Sequence, residues 1–134
     1  MREIKFRGKS LFVCDWHEGL FLRKNGQAYI EEGILLIRVK EDTIGQYTGL
    51  RDKNGVEIYE GDIVKVFGDA DGYFHEKRYI TGFVRFEDID GYYGYVVDYR
   101  NIAKVGYYEC LGNCEYDIEV IGTIHDNPEL LEEL

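Results

Sequence analysis

Near the middle of the chain, a turn sequence separates two strand-like segments. Residues 46–50 and 56–59 are rich in side chains that favour strands, and the second segment alternates polar with apolar positions. Between them, Asn54-Gly55 supplies two residues that tolerate the positive φ angles of tight turns. The pattern predicts a β-hairpin, and Glu60-Gly61-Asp62 predicts a second sharp bend directly after it.

Short strand-like runs recur along the rest of the chain, and turn residues separate them. We predict further strands at residues 4–7, 11–13, 21–22, 34–39, 63–67, 79–87, 94–99, 107–108 and 117–124. The run at 34–39 looks buried, because only Arg38 interrupts its apolar residues. Asn127-Pro128-Glu129 predicts a short C-terminal helix, with Asn as its cap and Pro at its first position. The residues therefore predict a mainly β (α+β) fold built from antiparallel strands and tight hairpins.

Length and charge limit the classes of function. The chain of 134 residues suits a single domain over 1–134, in which residues 1–40 can form an N-terminal layer beside a β-rich core at 41–134. The net charge of −10 opposes electrostatic capture of nucleic acid or anionic membrane by the protein as a whole. The charge is uneven, because residues 1–29 carry 6 Lys/Arg against 3 acids, whereas residues 108–134 carry 8 acids and no Lys or Arg.

Cysteine usage and the first residues point to the cytoplasm. Three Cys are an odd number without a dense disulfide framework, which is typical of a reducing compartment. The opening segment alternates charged and apolar residues and has no run resembling the apolar core of a signal peptide.

The segment from residue 46 to 64, QYTGLRDKNGVEIYEGDIV, closely resembles the signature of the YopX family of phage and prophage proteins. The opening IKFR at residues 4–7 and the closing IEVIGTIHDNPELL at residues 118–131 are also similar to that family. The signature positions are Tyr47, Thr48, Gly49, Leu50, Asp52, Asn54, Gly55, Ile58, Tyr59, Glu60, Gly61, Asp62, Asn127 and Pro128.

The resemblance implies a small, mostly β fold with a barrel-like antiparallel sheet, encoded by a bacteriophage or prophage and located in the bacterial host cytoplasm. The family has no established biochemical activity, so the resemblance supplies no catalytic or binding residues.

Candidate metal sites are incomplete in the sequence. Cys110 and Cys114 are four residues apart, and Cys14 and His17 would complete a set of four zinc ligands. Only one of these pairs has the usual spacing, so buried free thiols are the better interpretation. Residues 69–72 resemble the start of a calcium loop, but position 12 of that loop would be Ile80. We therefore expect no metal and no other cofactor.

The sequence also lacks a recognisable catalytic constellation. His17, His75 and His125 are far apart, and none is part of a nucleophile motif. The carboxylates of Asp15 and Glu18 near His17 are compatible with a general base. A histidine in this setting is more often an ordinary surface residue. No glycine-rich loop precedes a Lys-Ser or Lys-Thr pair, so no phosphate cradle is visible. We expect the chain not to be an enzyme.

The tyrosine-rich segment supports the leading functional hypothesis, which is action by protein–protein contact. The candidate contact surface consists of Tyr92, Tyr93, Tyr95, Tyr107 and Tyr108. Partners are another copy of the chain, through exposed sheet edges, and a host or phage protein. Two alternatives remain open. One is the stacking of single-stranded nucleic acid on these tyrosines or binding through the basic N-terminal third, and the other is DNA mimicry by the acidic surface.

Overall fold

Antiparallel β-strands form nearly all of the regular structure. The computed structural model of the chain describes residues 3–68, 78–89, 92–99, 108–114 and 117–131. Within these residues the strands are β1 (Phe6–Lys9), β2 (Trp16–Lys24), β3 (Gln27–Glu32), β4 (Leu35–Arg38), β5 (Gly45–Arg51), β6 (Glu57–Tyr59), β7 (Asp62–Gly68), β8 (Arg78–Ile89), β9 (Tyr92–Asp98), β10 (Tyr108–Cys110) and β11 (Ile118–Thr123). The helical segments in the same residues are short 3₁₀ turns at Glu41–Thr43, Leu111–Cys114 and Pro128–Leu131.

The chain divides into two compact units, Met1–Gly49 and Leu50–Leu134. Strand β5 extends to Arg51, so its last two residues, and β6 which neighbours it, belong to the second unit. The expected single domain over residues 1–134 stays a prediction.

The first unit is a sheet with the strand order β4-β3-β2-β1-β5. Its β2–β3 hairpin turns at Asn25-Gly26, where both residues have positive φ angles of 55° and 76°, as a type I′ turn requires. One face of the sheet is apolar, and cross-strand neighbours such as Phe21 and Ile30 pack there. The core of this unit consists of Ala28, Ile30 and Val39, with Phe6, Phe21, Ile37 and Ile44 packed against them.

The barrel expected from the resemblance is absent from the described residues. A single bridge between Ser10 and Val39 joins the end of β1 to the residue after β4. One residue pair does not make a continuous ladder, so the sheet curls without closing. The prediction of a barrel-like sheet was wrong, and the observed architecture is two open antiparallel sheets.

The second unit contains a five-stranded sheet with the order β10-β9-β8-β7-β11. Its central strands pair with their sequence neighbours, but β11 returns to pair with β7, with Ile118 opposite Val66. The core is larger than that of the first unit, and its fully buried members include Ile58, Val64 and Val97. Leu50, Tyr95 and Val120 pack against this core and are partly buried.

Most predicted strands are confirmed, and three local predictions were wrong. Residues 11–13 form a turn, because the chain reverses between β1 and β2 with Cys14 at a φ of 64°. The run that looked buried, residues 34–39, is exposed at Ile34, Leu35 and Leu36 because β4 is the last strand of its sheet. The expected C-terminal helix is only the 3₁₀ turn Pro128–Leu131.

Candidate functional site

The centre of the signature is a hairpin tip that one buried carboxylate organises. Asp52 Oδ1 accepts hydrogen bonds from the amides of Asn54 (2.8 Å) and Val56 (2.9 Å). The Asp52 amide donates to the Val56 carbonyl, and the Gly55 amide donates to the Asp52 carbonyl. Gly55 has a φ of 83°, which explains why glycine stands there. The predicted hairpin is confirmed, and Asp52 supplies the acceptors that its amides need.

The same carboxylate joins the hairpin to the far end of the chain. Asp52 Oδ2 accepts a hydrogen bond of 2.9 Å from the amide of Val120 in β11. Next to it, the Lys53 amide donates to the Ile118 carbonyl at 2.9 Å. The Lys53 ammonium lies 3.4 Å from a carboxylate oxygen of Glu119. The hairpin tip therefore covers the outer edge of β11 and occupies backbone groups that would otherwise be open to another strand.

A second buried aspartate fixes the bend after β6. Asp62 Oδ2 accepts a hydrogen bond of 2.7 Å from the amide of Tyr59, three residues earlier. Gly61 has a φ of 93°, and its amide donates to the Val84 carbonyl at 2.8 Å. The predicted sharp bend is confirmed, and it ties the start of β7 to β8.

The other signature residues serve the fold in the same way. Tyr47, Thr48, Ile58 and Tyr59 are buried. Asn127 does not cap a helix, because its side-chain oxygen accepts from the Thr123 amide at 3.2 Å. These buried residues, together with Asp52, Asp62 and Asn127, contribute to the core and to the turns of the fold.

His17 lies between two carboxylates, one of which the sequence did not reveal. Its Nε2 is 3.1 Å from Asp15 Oδ1, and its Nδ1 is 3.2 Å from Glu32 Oε1. Glu18, the expected neighbour, contributes only its backbone amide, which donates to Glu32 at 3.3 Å. The hydrogen bond to Glu32 is the main cause that raises the pKa of His17 above 6.5. The hydrogen bond to Asp15 and its charge also raise this pKa, and burial lowers it. Since carboxylates occupy both ring nitrogens, the arrangement favours an ion-pair cluster over a general base.

We expect an NMR titration to place the pKa of His17 above 6.5 and the Glu32→Gln variant to lower it. The pKa of Glu32 is shifted the other way, below 4.5, mainly because His17 donates a hydrogen bond to it. The histidine contribution to stability is complete below pH 6.5 and is lost as pH rises through its folded pKa. The glutamate contribution is complete above pH 4.5 and is lost as pH falls through its own folded pKa.

Glu31, the exposed residue immediately before Glu32, provides the control for this titration. Glu31→Gln removes the same charge but does not remove the hydrogen bond to His17. An unchanged His17 pKa in Glu32→Gln would show that this hydrogen bond does not cause the shift.

The proposed zinc ligands are not brought together in the part of the structure that is described. No group of three or more His, Cys, Asp or Glu side chains is arranged there to hold a metal ion. Cys14 is an exposed free thiol, and the Lys40 ammonium lies 3.7 Å from its sulfur. The side chain of Cys114, residues 69–72 and His75 lie outside the described residues.

Of the tyrosines predicted to form a contact surface, the structure describes the side chain of Tyr95 alone. Tyr95 is partly buried and packs edge-to-face against Phe86, with ring centroids 5.5 Å apart. Tyr92, Tyr93 and Tyr108 lie on strands β9 and β10, but their side chains and all of Tyr107 are outside the described residues. This prediction stays a prediction.

An exposed aromatic pair lies elsewhere on the second unit. Phe67 and Tyr79 are directly opposite each other on β7 and β8, with ring centroids 5.0 Å apart. The ammonium groups of Lys65 and Lys53 lie over the Tyr79 ring, 4.5 and 5.4 Å from its centroid. A nucleobase would have to displace these groups before stacking on Tyr79, so the pair is not an open stacking platform.

Three aspartates of the acidic second unit are buried and used internally. Asp52 and Asp62 hold backbone amides, and Asp98 accepts from Arg85 Nε at 2.7 Å. These carboxylates are removed from any surface row that imitates DNA phosphates. DNA mimicry by the remaining acids stays a prediction.

In the first unit, exposed apolar side chains lie on and just before β4 and on the turn beside the end of that strand. We call this surface the apolar edge and define it as Phe12, Val13, Ile34, Leu35 and Leu36. Ile34 is fully exposed, and the other four side chains are 78%, 73%, 55% and 45% exposed in the same order. The Leu11 amide donates to the Arg38 carbonyl at 3.0 Å, which places the turn carrying Phe12 and Val13 beside the end of β4. Contiguous exposed apolar residues of this kind mark contact surfaces.

Backbone geometry makes this edge available for pairing. The Val39 amide donates to Ala28 of β3, whereas the Arg38 carbonyl accepts from Leu11 on the opposite side. Because successive residues of an antiparallel strand point their backbone groups in opposite directions, those of Leu36 face outward, as Arg38 does. The far end of β4 is therefore covered by Leu11, and its beginning is open within the described residues. The sequence did not predict this surface, because a run of apolar residues has the same pattern in a buried core strand and in an exposed edge strand.

The described residues form two open antiparallel sheets with turns held by buried aspartates, which defines a mainly β protein. The family model described as YopX protein matches residues 9–132 of the chain. The chain belongs to the YopX family, which confirms the resemblance carried by residues 46–64.

Among solved structures, the chain is similar to the crystal structure of protein EF1440 from Enterococcus faecalis. The two share 28% sequence identity, the match covers 98% of this chain and 100% of that chain, and the TM-score is 0.48. No curated protein matches the chain significantly. In the part of the chain that the structure describes, no helix has the length and apolar character needed to span a membrane.

Proposed function

We propose that the chain is a non-enzymatic accessory protein, encoded by a phage or prophage, that acts in the bacterial cytoplasm by protein–protein contact. The observation that carries the proposal is the apolar edge, where five large side chains are exposed together. Burying a leucine or isoleucine side chain fully is worth about 1.5–3 kcal/mol, so their joint exposure favours a surface that becomes covered. The family resemblance supports the phage origin, and the odd number of cysteines supports the compartment.

Protein contact is favoured over nucleic-acid binding by the chemistry of this surface. None of the five members of the apolar edge carries a charge or a hydrogen-bonding side chain. Phosphate contacts provide most of the affinity for nucleic acid and require Lys or Arg. An apolar edge strand instead pairs with another protein strand, which supplies main-chain hydrogen bonds and apolar side chains.

The test compares tagged wild-type protein with the double variant Val13→Lys/Ile34→Lys in crosslinked host cells. We expect at least one protein, another copy of the chain included, to lose about tenfold or more of its recovery with the double variant. The control is Val56→Lys, which adds a charge at an exposed apolar position of the second unit. Binding must then be reproduced with the purified partner. The proposal fails when no purified protein binds in a way that depends on the apolar edge.

A further inference from the structure

The two units differ sharply in charge, and this difference limits what the apolar edge can bind. Met1–Gly49 carries 8 Lys/Arg and 7 Asp/Glu, whereas Leu50–Leu134 carries 8 and 19. A strongly basic partner would be drawn to the second unit, and two copies of the chain repel each other there. At the first unit the charges nearly cancel, so a second copy can approach it without that repulsion.

The two sheets also differ in how far their edge strands are covered by other parts of the chain. In the second unit, the hairpin tip at Asp52 and Lys53 covers β11. In the first unit, Leu11 covers the end of β4, but the segment from Ile34 to Leu36 has no covering strand among the described residues. It also has neither a charged side chain nor a proline, which are the usual means of protecting an edge.

We propose that the apolar edge is a homodimer interface, in which β4 pairs antiparallel with β4 of a second copy around a twofold axis at Leu36. This inference rests on the proposed function, because it names the partner of the same surface. Leu36 then lies opposite itself, and each Leu35 lies opposite Ile37 of the other copy. Both pairs are apolar, as a self-complementary interface requires.

The same register accounts for the exposed turn. The ladder between the copies ends at the Leu35–Ile37 pairs, because Leu11 already occupies the position beside Arg38, and Ile34 of the second copy lies just past the end of the ladder. The incoming isoleucine therefore meets the turn that carries Phe12 and Val13. All five residues of the apolar edge become covered in one symmetric contact, which joins two sheets edge to edge.

Analytical ultracentrifugation over a concentration series tests the interface. We expect the wild type to dimerise and Leu36→Lys, which places two ammonium groups at the twofold axis, to raise the dimer dissociation constant about tenfold or more. Leu20→Lys is the matched control, because Leu20 is exposed on β2, two strands away from the edge. It should leave the dissociation constant unchanged.

Disulfide trapping provides a second, position-specific measurement. Residues directly opposite across antiparallel strands have Cα atoms about 4.5–5.5 Å apart, within the range that a disulfide spans. Leu36→Cys should therefore form a covalent dimer much faster than Leu20→Cys or the wild type with its three native cysteines.

The outcomes separate this inference from the proposed function. A wild type that stays monomeric, or a dimer that Leu36→Lys leaves intact, overturns the β4 interface. When a different purified protein binds the apolar edge of that monomer, the proposed function survives alone. A dimer that is weakened by Leu36→Lys and trapped through Leu36→Cys supports the inference.

Discussion

Replacing Asp52 by Ala should lower the free energy of unfolding of the second unit by about 3–5 kcal/mol, since hydrogen bonds to a charged group contribute about 1.5–3 kcal/mol each and bonds that share one carboxylate do not add in full. The variant loses the acceptors of three amides, those of Asn54, Val56 and Val120. For a unit of this size the loss corresponds to a fall in melting temperature of about 12–40 °C. Calorimetry measures it directly.

Two further variants make this test specific. Asp52→Asn keeps one side-chain carbonyl oxygen, so we expect it to be destabilised by about half as much as Asp52→Ala. Asp88→Ala removes the same charge from an exposed position of β8 and should change stability by no more than about 0.5 kcal/mol. Equal melting temperatures for Asp52→Ala and Asp88→Ala would contradict the structural role of the buried carboxylate.

Gly19→Ala should be the most damaging single change in the first unit. A Cβ atom at this position would lie far inside the van der Waals contact distance of the Glu31 carbonyl oxygen and 2.8 Å from its carbon. The obstacle is backbone, so β2 and β3 would have to separate to accept the methyl group. Overpacking typically costs about 1–3 kcal/mol, and we expect the upper end of that range or more here.

Gly112→Ala is the control for this substitution. A Cβ at Gly112 has no atom within 4 Å, and no positive φ angle opposes it. We expect its melting temperature to stay within a few degrees of the wild type, because exposed substitutions change stability by about 0.5 kcal/mol or less. Native-like stability of Gly19→Ala would mean that β2 and β3 do not approach as closely as described.

Local chemistry predicted the elements well, because turns and strands depend on adjacent residues. Asn54-Gly55 and Glu60-Gly61-Asp62 both form the bends that their backbone preferences indicate. The same reasoning could not show that Asp52 reaches Val120, since that bond joins residues 68 positions apart. It missed Glu32 beside His17 for the same reason.

The candidate site was harder to predict than the fold. Residues 34–39 have the composition of a core strand, and only the strand order shows that Leu35 and Leu36 stand at an edge. The position of a strand within its sheet is a property of the whole unit, so hydrophobicity alone does not give it. The tyrosine-rich segment was predicted to be a contact surface because aromatic residues are common at interfaces. The buried Tyr59 and Tyr99 show that tyrosine also packs in the core of this protein.

The return of β11 to the side of β7 has a consequence for the order in which the protein forms. In the first unit, successive strands from β1 to β4 pair with one another, and β5 returns to β1 with Gln46 opposite Phe6. Strand β7 has one neighbour close in sequence and another that is synthesised more than fifty residues later, after the whole of the first unit. Non-local pairing slows folding. On the ribosome we therefore expect the first unit to be complete before β11 has been synthesised and can pair with β7. Until then, a growing chain presents an unfinished sheet edge to other chains.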